Sequence, residues 1–374
     1  MKFVISSSVL SAHLQTIGRV IVQKNNMPIL DCFCMDIKGK TLTVTAADSD
    51  TTMTTSLDLV ECDSDIRFAV NAKILQDSIK EIPEQPLEIY VKPETLEITV
   101  QYQNGHYTLV GQSADEYPVP AADEGQKATL VLDGQRLLTG VNRAIMAAAN
   151  DVMRPTLNSV CFDMREGNVA IVASNGSHLA LTKYALSSET AEGTFLLGTR
   201  PAGLLRGILN KEEGDVVVTF GERRASFSTA EYTLDCLLVD GRYPNYNSVI
   251  PQDNPNIVTL NRQALISALR RVLVFAPPAT ALVKLGISAS SLNITTEDLD
   301  FNKSAQEDVL CEYAGDPMRI AFKGSTLLEL VQNIECDDIM LRLADRSRAG
   351  VIVPAQQKEG EEVLMLIMPS VFTD

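Results

Sequence analysis

The chain repeats itself three times, and this repeat constrains its fold more than any other feature of the sequence. A Tyr-Pro pair occurs at Tyr117-Pro118 and again at Tyr243-Pro244, 126 residues later. An apolar strand that runs into an amphipathic helix begins at Phe68 and recurs at Ile320, 252 residues later, with a middle copy that begins at Phe195. Because 252 is twice 126, three copies of similar length account for all 374 residues.

Each copy contains the same order of predicted elements. It opens with a helix whose apolar residues recur at every third or fourth position, continues with alternating strands, adds a second helix and closes with paired strands. The six predicted helices cover residues 7–22, 71–81, 133–149, 199–211, 261–274 and 323–333. With roughly eight strands in each copy, the fold class is α+β with β predominating. Clusters of Pro, Gly, Asp and Asn place the domains at residues 1–122, 127–252 and 256–374.

Charge is unevenly distributed along the chain. Lys and Arg total 32 and Asp and Glu 48, a net charge of −16, which excludes a uniformly basic nucleic-acid-binding protein. The six predicted helices nevertheless carry twelve basic and four acidic residues. Helix propensity does not explain this excess, because Glu is about as good a helix former as Lys and is scarce in these helices. The pattern predicts a basic helical surface that contacts a phosphate backbone without reading base sequence.

No catalytic or metal-binding motif accompanies the repeat. The three histidines, His13, His106 and His178, are too far apart in sequence to form a helical metal pair. The segment 298–304 resembles a calcium loop but lacks the required Gly and Glu. Seven scattered cysteines are typical of reduced thiols in a cytoplasm, and no apolar run approaches the ~18–20 residues of a membrane span. We therefore expect a cytoplasmic, non-catalytic protein with no cofactor, no metal and no membrane partner.

Several short motifs resemble one protein family. They are Asp240-Gly241-Arg242-Tyr243-Pro244-Asn245-Tyr246, Ser174-Asn175-Gly176-Ser177-His178-Leu179-Ala180, Met368-Pro369, Met1-Lys2-Phe3 and Pro28-Ile29-Leu30. With the threefold repeat, they resemble the bacterial DNA sliding clamp family, the beta subunit of DNA polymerase III, over essentially the full chain. The resemblance implies the DNA clamp fold, in which three similar domains close into a six-domain ring as a head-to-tail homodimer.

The resemblance also implies a function. The ring of such a protein encircles double-stranded DNA without sequence specificity and acts as a non-enzymatic processivity factor in DNA replication. A hydrophobic cleft between the second and third domains takes a short peptide, typically Gln followed by Leu and an aromatic residue. The implied partners are the replicative polymerase catalytic subunit, the clamp loader, repair polymerases and other clamp-motif proteins. The expected peptide-binding residues are Leu157, Ser174, Gly176, Ser177, His178, Leu179, Pro244, Val249, Thr326, Ile367, Met368 and Pro369.

Two further sets of residues are expected at interfaces. The expected DNA contacts combine basic residues of the helices with those at loop positions that match the family: Lys24, Lys73, Arg136, Arg143, Arg154, Arg200, Arg206 and Arg262. The expected dimer interface pairs the late strands of the first domain with the first helix of the third. Its residues are Tyr107, Leu109, Leu273 and Val274.

The chain departs from the family pattern at two places in the expected cleft. Ser177 and His178 stand where the family commonly has His and Arg. The residues after Met-Pro are Ser370-Val371-Phe372, where a hydrophobic residue, a basic residue and Leu are usual. We therefore expect an altered peptide preference and a pH-sensitive cleft wall at His178, while the cleft itself is retained.

Two other classes of protein remain open on the sequence. One is a threefold β-rich scaffold or carbohydrate-binding module whose basic helices merely pack outward, although the absence of Trp disfavours a sugar platform. The other is a metal-dependent enzyme that uses the acidic loops, which the missing ligand spacing disfavours. Solution mass separates a ring dimer from the scaffold, because the dimer should have twice the chain mass of 40.8 kDa.

Overall fold

The six predicted helices are all present. A computed structural model describes residues 1–23, 25–118, 128–186, 192–210 and 213–372. The helices are α1 Ser7–Ile17, α2 Ala72–Lys80, α3 Gly134–Ala147, α4 Thr199–Leu209, α5 Arg262–Leu273 and α6 Gly324–Gln332. Each is shorter than its predicted range, and α1 continues as a 3-10 turn over Gly18–Val20.

The strands follow the threefold order. The first copy contains β1 Lys2–Ser6, β2 Cys32–Lys38, β3 Thr41–Ala47, β4 Thr51–Asp58, β5 Glu61–Cys62, β6 Ile66–Asn71, β7 Pro86–Val91, β8 Glu97–Tyr102 and β9 Gly105–Val110. The second contains β10 Ala128–Asp133, β11 Ser159–Arg165, β12 Asn168–Ser174, β13 His178–Ala185, β14 Gly193–Gly198, β15 Asp215–Phe220, β16 Arg224–Ser228 and β17 Tyr232–Leu237. The third contains β18 Asn256–Asn261, β19 Leu282–Ile287, β20 Ser291–Asp298, β21 Lys303–Tyr313, β22 Met318–Lys323, β23 Asp338–Leu343, β24 Gly350–Pro354 and β25 Glu361–Ile367.

Short polar residues start several helices directly from the end of a strand. The side chains of Asn71 and Asn261 each accept a hydrogen bond, at 3.0 Å, from the backbone N–H three residues later. Asp133 accepts in the same way from the Arg136 N–H at 2.8 Å. Such caps satisfy backbone donors that a helix leaves without an intrahelical partner. The abrupt strand-to-helix change therefore follows from one residue at each junction.

The chain divides into two compact units that do not coincide with the sequence repeats. The first comprises residues 1–137 and 203–238, and the second residues 138–202 and 239–374. The first unit holds a five-stranded sheet, β5-β1-β7-β8-β9, and an eight-stranded sheet, β10-β15-β16-β17-β4-β3-β2-β6. The second holds a twelve-stranded sheet, β14-β11-β12-β13-β25-β24-β23-β18-β21-β20-β19-β22.

Both larger sheets join strands from different copies of the repeat. In the first unit β17 pairs with β4, and in the second β13 pairs with β25 through seven residue pairs from His178↔Ile367 to Tyr184↔Glu361. These antiparallel pairings satisfy backbone groups that would otherwise form open sheet edges. Neighbouring copies are consequently joined by main-chain hydrogen bonds as well as by the linkers.

All three copies close with an equivalent hydrogen bond. A backbone N–H that follows the last strand of the copy donates to a carbonyl on the strand before the second helix. The three pairs are Gln112 to Ala69 at 2.8 Å, Val239 to Leu196 at 2.9 Å and Ser370 to Ala321 at 2.7 Å. This conserved geometry within one chain places the segment after each last strand beside the same part of its own domain.

Candidate partner-binding cleft and interface residues

The expected cleft residues lie within the second unit, on and beside the paired strands β13 and β25. Leu179 is 1% exposed and lies opposite Leu366 in the strand register. Both belong to an apolar cluster against which Leu157 packs. Ile367 is also buried, at 3% exposure. Leu157, Leu179 and Leu366 give the cleft an apolar floor that is part of the folded core, whereas Ile367 is next to Leu366 in β25 and faces the other side of the sheet.

Above this floor stands an exposed apolar rim. Val249 is 56% exposed and Met368 41% exposed, while Pro244 is also exposed and Pro369 half-buried. Thr326 is half-buried in the first turns of α6. Exposed apolar side chains beside a built apolar floor are typical of sites that bind another chain. The exposed rim residues can therefore contact a ligand without any rearrangement of the core.

The turn between β12 and β13 forms one end of the site. Asn175 Oδ1 accepts hydrogen bonds from the Ser177 N–H at 2.9 Å, the Ser177 hydroxyl at 2.9 Å and the His178 N–H at 3.2 Å. Gly176 has φ +93°, and a Cβ placed there would meet no atom within 4 Å. Glycine is needed for this left-handed backbone, and the space beside it is open to a ligand.

His178 is buried beneath this turn, at 9% exposure. Its ring nitrogens lie 3.2 Å from Ser177 Oγ and 3.3 Å from Asn175 Nδ2. Burial lowers the pKa of His178 below its ordinary value, and the charge of Lys323 lowers this pKa further. A hydrogen bond with the Met146 backbone and the charge of Glu329 act in the opposite direction, but the net effect is a lowered pKa. At neutral pH the side chain is therefore uncharged.

Most of the expected DNA-contacting residues lie at the surface. Those that are exposed are Lys73, Arg136, Arg154, Arg200 and Arg206. Arg154 forms an ion pair with Asp151 at 2.8 Å, and half-buried Arg262 donates to the Ile334 carbonyl at 2.6 Å. Lys24 lies outside the described residues. The exposed side chains can contact phosphates, because such a contact requires only an accessible cationic group.

Arg143 corrects the predicted DNA-contacting set. It is 3% exposed, and its Nη1 lies 2.6 Å from Glu361 Oε1 while its Nε donates to the Asn333 carbonyl at 2.9 Å. The guanidinium thus neutralises a carboxylate inside the second unit, where a buried charge is tolerated only with such partners. Arg143 joins α3 to β25 and is not available to DNA.

The expected dimer residues lie beside open strand edges. Half-buried Tyr107 and Leu109 belong to β9, which is the last strand of its five-stranded sheet. In the second unit Leu273 is half-buried at the end of α5, and Val274 is 74% exposed. Residues 303–310 of β21 pair with β20 on one side only, since the pairing of β21 with β18 is confined to residues 311–313. The expected interface residues of each unit therefore lie beside a strand edge that is open to pairing.

Comparison with known proteins identifies the family. Three domains that define the DNA polymerase III beta subunit family match this chain. The N-terminal domain matches residues 1–121, the central domain residues 131–245 and the C-terminal domain residues 247–369. The chain belongs to the DNA polymerase III beta subunit family. Among curated relatives, the beta sliding clamp of Pseudomonas putida is 25% identical over 98% of this chain and 99% of its own. That of Haemophilus influenzae is 24% identical over the same shares.

Solved structures of this beta subunit family have the same fold. The sliding clamp of Pseudomonas aeruginosa bound to griselimycin matches with a TM-score of 0.94 at 22% identity, and each chain is covered over 100% of its length. The beta subunit of Thermotoga maritima matches with a TM-score of 0.89 at 24% identity over the same shares. The chain therefore has the three-domain DNA clamp fold, and the predicted resemblance is confirmed. The limits of the domains at residues 1–122, 127–252 and 256–374 stay a prediction.

Two further findings concern metals and membranes. Within the part of the chain that the structure describes, no group of three or more His, Cys, Asp or Glu side chains could hold a metal ion. Among the same residues, no helix is both long and apolar enough to span a bilayer.

Two tyrosines that are not among the expected cleft residues hold one wall of the cleft in this beta subunit. Tyr243 is buried, and its hydroxyl oxygen accepts a hydrogen bond from the Ser174 N–H at 2.8 Å. The Tyr246 hydroxyl donates to Asp163 Oδ2 at 2.9 Å, and Asp163 is 5% exposed. These two anchors fix the segment that carries Pro244 and Val249. The two tyrosines of the Asp240–Tyr246 motif were the available signal, but their partners are distant in sequence.

Burial of His178 predicts a specific pH dependence. Because its folded-state pKa is lowered below the unfolded value of about 6.5, the unfolded state binds the proton more tightly. Stability is therefore lost as pH falls below about 6.5, at a rate of at most about 1.4 kcal/mol per pH unit for one group. His178→Gln should lose less stability than the natural protein between pH 7.5 and 5.5 in urea unfolding. Equal losses in the two proteins would contradict the assignment.

Proposed function

We propose that this protein is a sliding clamp that closes as a head-to-tail homodimeric ring around duplex DNA in the cytoplasm. The match of all three beta subunit domains, over nearly the whole chain, carries the proposal. The curated relatives bear the name beta sliding clamp. In this role the protein is a processivity factor and not a catalyst. Family membership favours this role over a scaffold or a metal-dependent enzyme.

Open strand edges with exposed apolar residues support ring closure. On the first unit, β9 ends at Val110, which is 73% exposed, and Ile74 on α2 is 57% exposed. On the second, Val274 is 74% exposed and Leu310 on β21 is 84% exposed. Pairing of two different edges is a heterologous contact, and such contacts form rings when the rotation closes. Closure would bury both apolar sets and remove both open edges.

The charge distribution supports loose enclosure of DNA. The exposed basic residues Lys73, Arg136, Arg200 and Arg206 lie at or near helix beginnings or on helix surfaces, while the chain as a whole carries −16. Contacts from a few cations to phosphates are independent of base sequence and weaken with salt. An enclosing ring needs no tighter binding, because its topology prevents dissociation. It can therefore slide along the duplex.

The apolar cleft supports a role in tethering. Its preformed floor and exposed rim fit a short peptide with apolar and aromatic anchors, of the kind expected in the replicative polymerase, the clamp loader and repair polymerases. Such anchors supply most of the binding energy when they enter preformed pockets. Together, enclosure and tethering would keep a polymerase on its template.

Retention on circular DNA tests the proposed function. The protein, loaded onto a nicked plasmid by the clamp loader of its own organism, should co-elute with the plasmid in gel filtration at 0.5 M salt. Cutting the plasmid once should release it, because a linear molecule lets a ring slide off its ends. The same plasmid cut before loading provides the control. Equal retention on circular and linear DNA would contradict enclosure.

A further inference from the structure

The C-terminal segment bridges strands from two copies of the repeat. Met368 N–H donates to the Ser177 carbonyl at 2.8 Å, immediately before β13. Two residues later, Ser370 N–H donates to the Ala321 carbonyl on β22 at 2.7 Å. These bonds hold residues 368–370 in place beside the cleft. They do not by themselves fix the residues that follow.

Phe372 provides the next anchor of this segment. The Arg346 guanidinium carbon lies 4.7 Å from the centre of its ring, and Lys284 Nζ lies 5.8 Å from the same point. Both distances fall within the roughly 6 Å over which the negative face of an aromatic ring attracts a cation. Lys284 Nζ is itself held 2.9 Å from Glu297 Oε1. Phe372 is thus attached to two cations on separate parts of the third copy.

Between these anchors the segment presents apolar side chains. Met368 is 41% exposed and Val371 97% exposed. An exposed valine alone needs no explanation. Here, however, it lies between two fixed points and three residues from a rim residue of the cleft. None of Ser370, Val371 and Phe372 carries a charge.

We propose that Phe372 is a positioning residue for the partner cleft. Its attachment to Arg346 and Lys284 fixes the C-terminal segment, and the segment then offers Met368 and Val371 as an apolar wall to the bound peptide. This inference rests on the proposed function of the cleft. In this arrangement Arg346 and Lys284 act without touching the peptide. The aromatic ring at position 372 then determines the affinity for the peptide.

Substitutions at position 372 separate this role from simple apolar packing. Phe372→Leu keeps an apolar side chain but removes the ring face that the cations contact, whereas Phe372→Tyr keeps that face. Fluorescence anisotropy would measure binding of a labelled Gln-Leu-Ala-Leu-Phe peptide to each full-length protein. We expect Phe372→Leu to bind about fivefold more weakly, the size expected for losing one or two exposed cation–π contacts. Phe372→Tyr should bind within about twofold of the natural protein.

The cation side supplies an independent arm of the test. Arg346→Gln should weaken peptide binding in the natural background and have no further effect in Phe372→Leu, because the two residues then act as one unit. Arg348→Gln is the matched control, since Arg348 lies on the same loop and pairs with Asp345 at 3.4 Å instead of contacting the ring. It should leave peptide affinity unchanged.

The outcomes distinguish this inference from the proposed function. If the natural protein binds neither this peptide nor peptides varied at its Gln and Phe positions, the proposed cleft function fails. If the natural protein binds but Phe372→Leu binds equally well, the cleft stands and the positioning role of Phe372 is overturned. Equal losses in Phe372→Leu and Phe372→Tyr would also overturn it. Weaker binding by Phe372→Leu with recovery in Phe372→Tyr would support it.

Discussion

Val274→Asp should convert the protein from a dimer into a monomer and remove its retention on circular DNA. Val274 is 74% exposed in the single chain and follows α5, whose Arg271 forms an ion pair with Glu307 on the open part of β21. In the proposed ring this side chain would be buried against the partner subunit. A carboxylate buried in an apolar interface without a partner costs several kcal/mol, enough to dissociate a dimer at micromolar concentration. Because an opened ring no longer encloses DNA, we expect retention on the plasmid to fall at least about 100-fold.

Light scattering after gel filtration would measure the change directly. The natural protein should give twice the chain mass of 40.8 kDa, and Val274→Asp should give the chain mass itself. Val60→Asp is a matched control, because Val60 is 63% exposed and lies on the loop between β4 and β5, outside the proposed interface. It should remain dimeric. A Val274→Asp protein that also remains dimeric would show that this interface is wrongly assigned.

Leu273→Asp should also give monomers, but it is a weaker test than Val274→Asp. Leu273 is half-buried, and its Cδ2 lies 2.8 Å from where a Cβ on Gly324 would stand. A carboxylate there would disturb the packing of α5 against α6 within one chain. Loss of the dimer would then have two explanations, whereas the exposed Val274 leaves the single chain intact.

The helices could be predicted from the sequence because their signal is local. Apolar residues at helical spacing and a capping residue at the end of a strand lie within one or two turns, as at Asn71 and Asn261. The orientation of a polar side chain, in contrast, depends on partners that are distant in sequence. Arg143 was counted with the basic residues of the helices, but its carboxylate partner Glu361 lies 218 residues away in sequence. No local pattern could have shown that this arginine is buried.

Equivalent positions in two copies of the repeat carry different side chains. Strands β4 and β13 correspond in the first two copies, with an offset of 127 residues between Thr52 and Leu179. Both side chains are buried, at 7% and 1% exposure. One apolar residue of the cleft floor, Leu179, therefore has a threonine as its counterpart in the first copy. The sequence shows this substitution, but only the paired strands show that position 179 belongs to a floor.

The cleft should lose its peptide when its rim is changed, and Val249→Asp should have the largest effect. Val249 is 56% exposed and lies on the segment that Tyr243 and Tyr246 anchor. A carboxylate there would remain hydrated in the unbound protein and would have to lose its water on binding an apolar peptide. We expect at least about 30-fold weaker binding of the labelled Gln-Leu-Ala-Leu-Phe peptide, and about tenfold for Met368→Ala.

Rim residues are the right targets because the floor belongs to the core. Replacing Leu179, at 1% exposure, with Ala would cost about 2–5 kcal/mol of folding free energy and would confuse unfolding with lost binding. Val217→Asp and Met27→Ala are matched controls, since these residues are 40% and 47% exposed and lie in the first unit. Both should bind the peptide normally. If Val249→Asp also bound normally, the peptide would not enter this cleft.

Dimer formation and peptide binding should be lost in different variants, because the proposed interface and the proposed cleft are formed by different residues. Val249→Asp should remain dimeric in light scattering while it loses the peptide. Val274→Asp should bind the peptide with normal affinity, since every expected cleft residue lies within one chain, in the second unit. Loss of peptide binding in the monomeric variant would mean that the cleft needs the partner subunit. A monomeric Val249→Asp protein would mean that the ring interface and the cleft depend on each other.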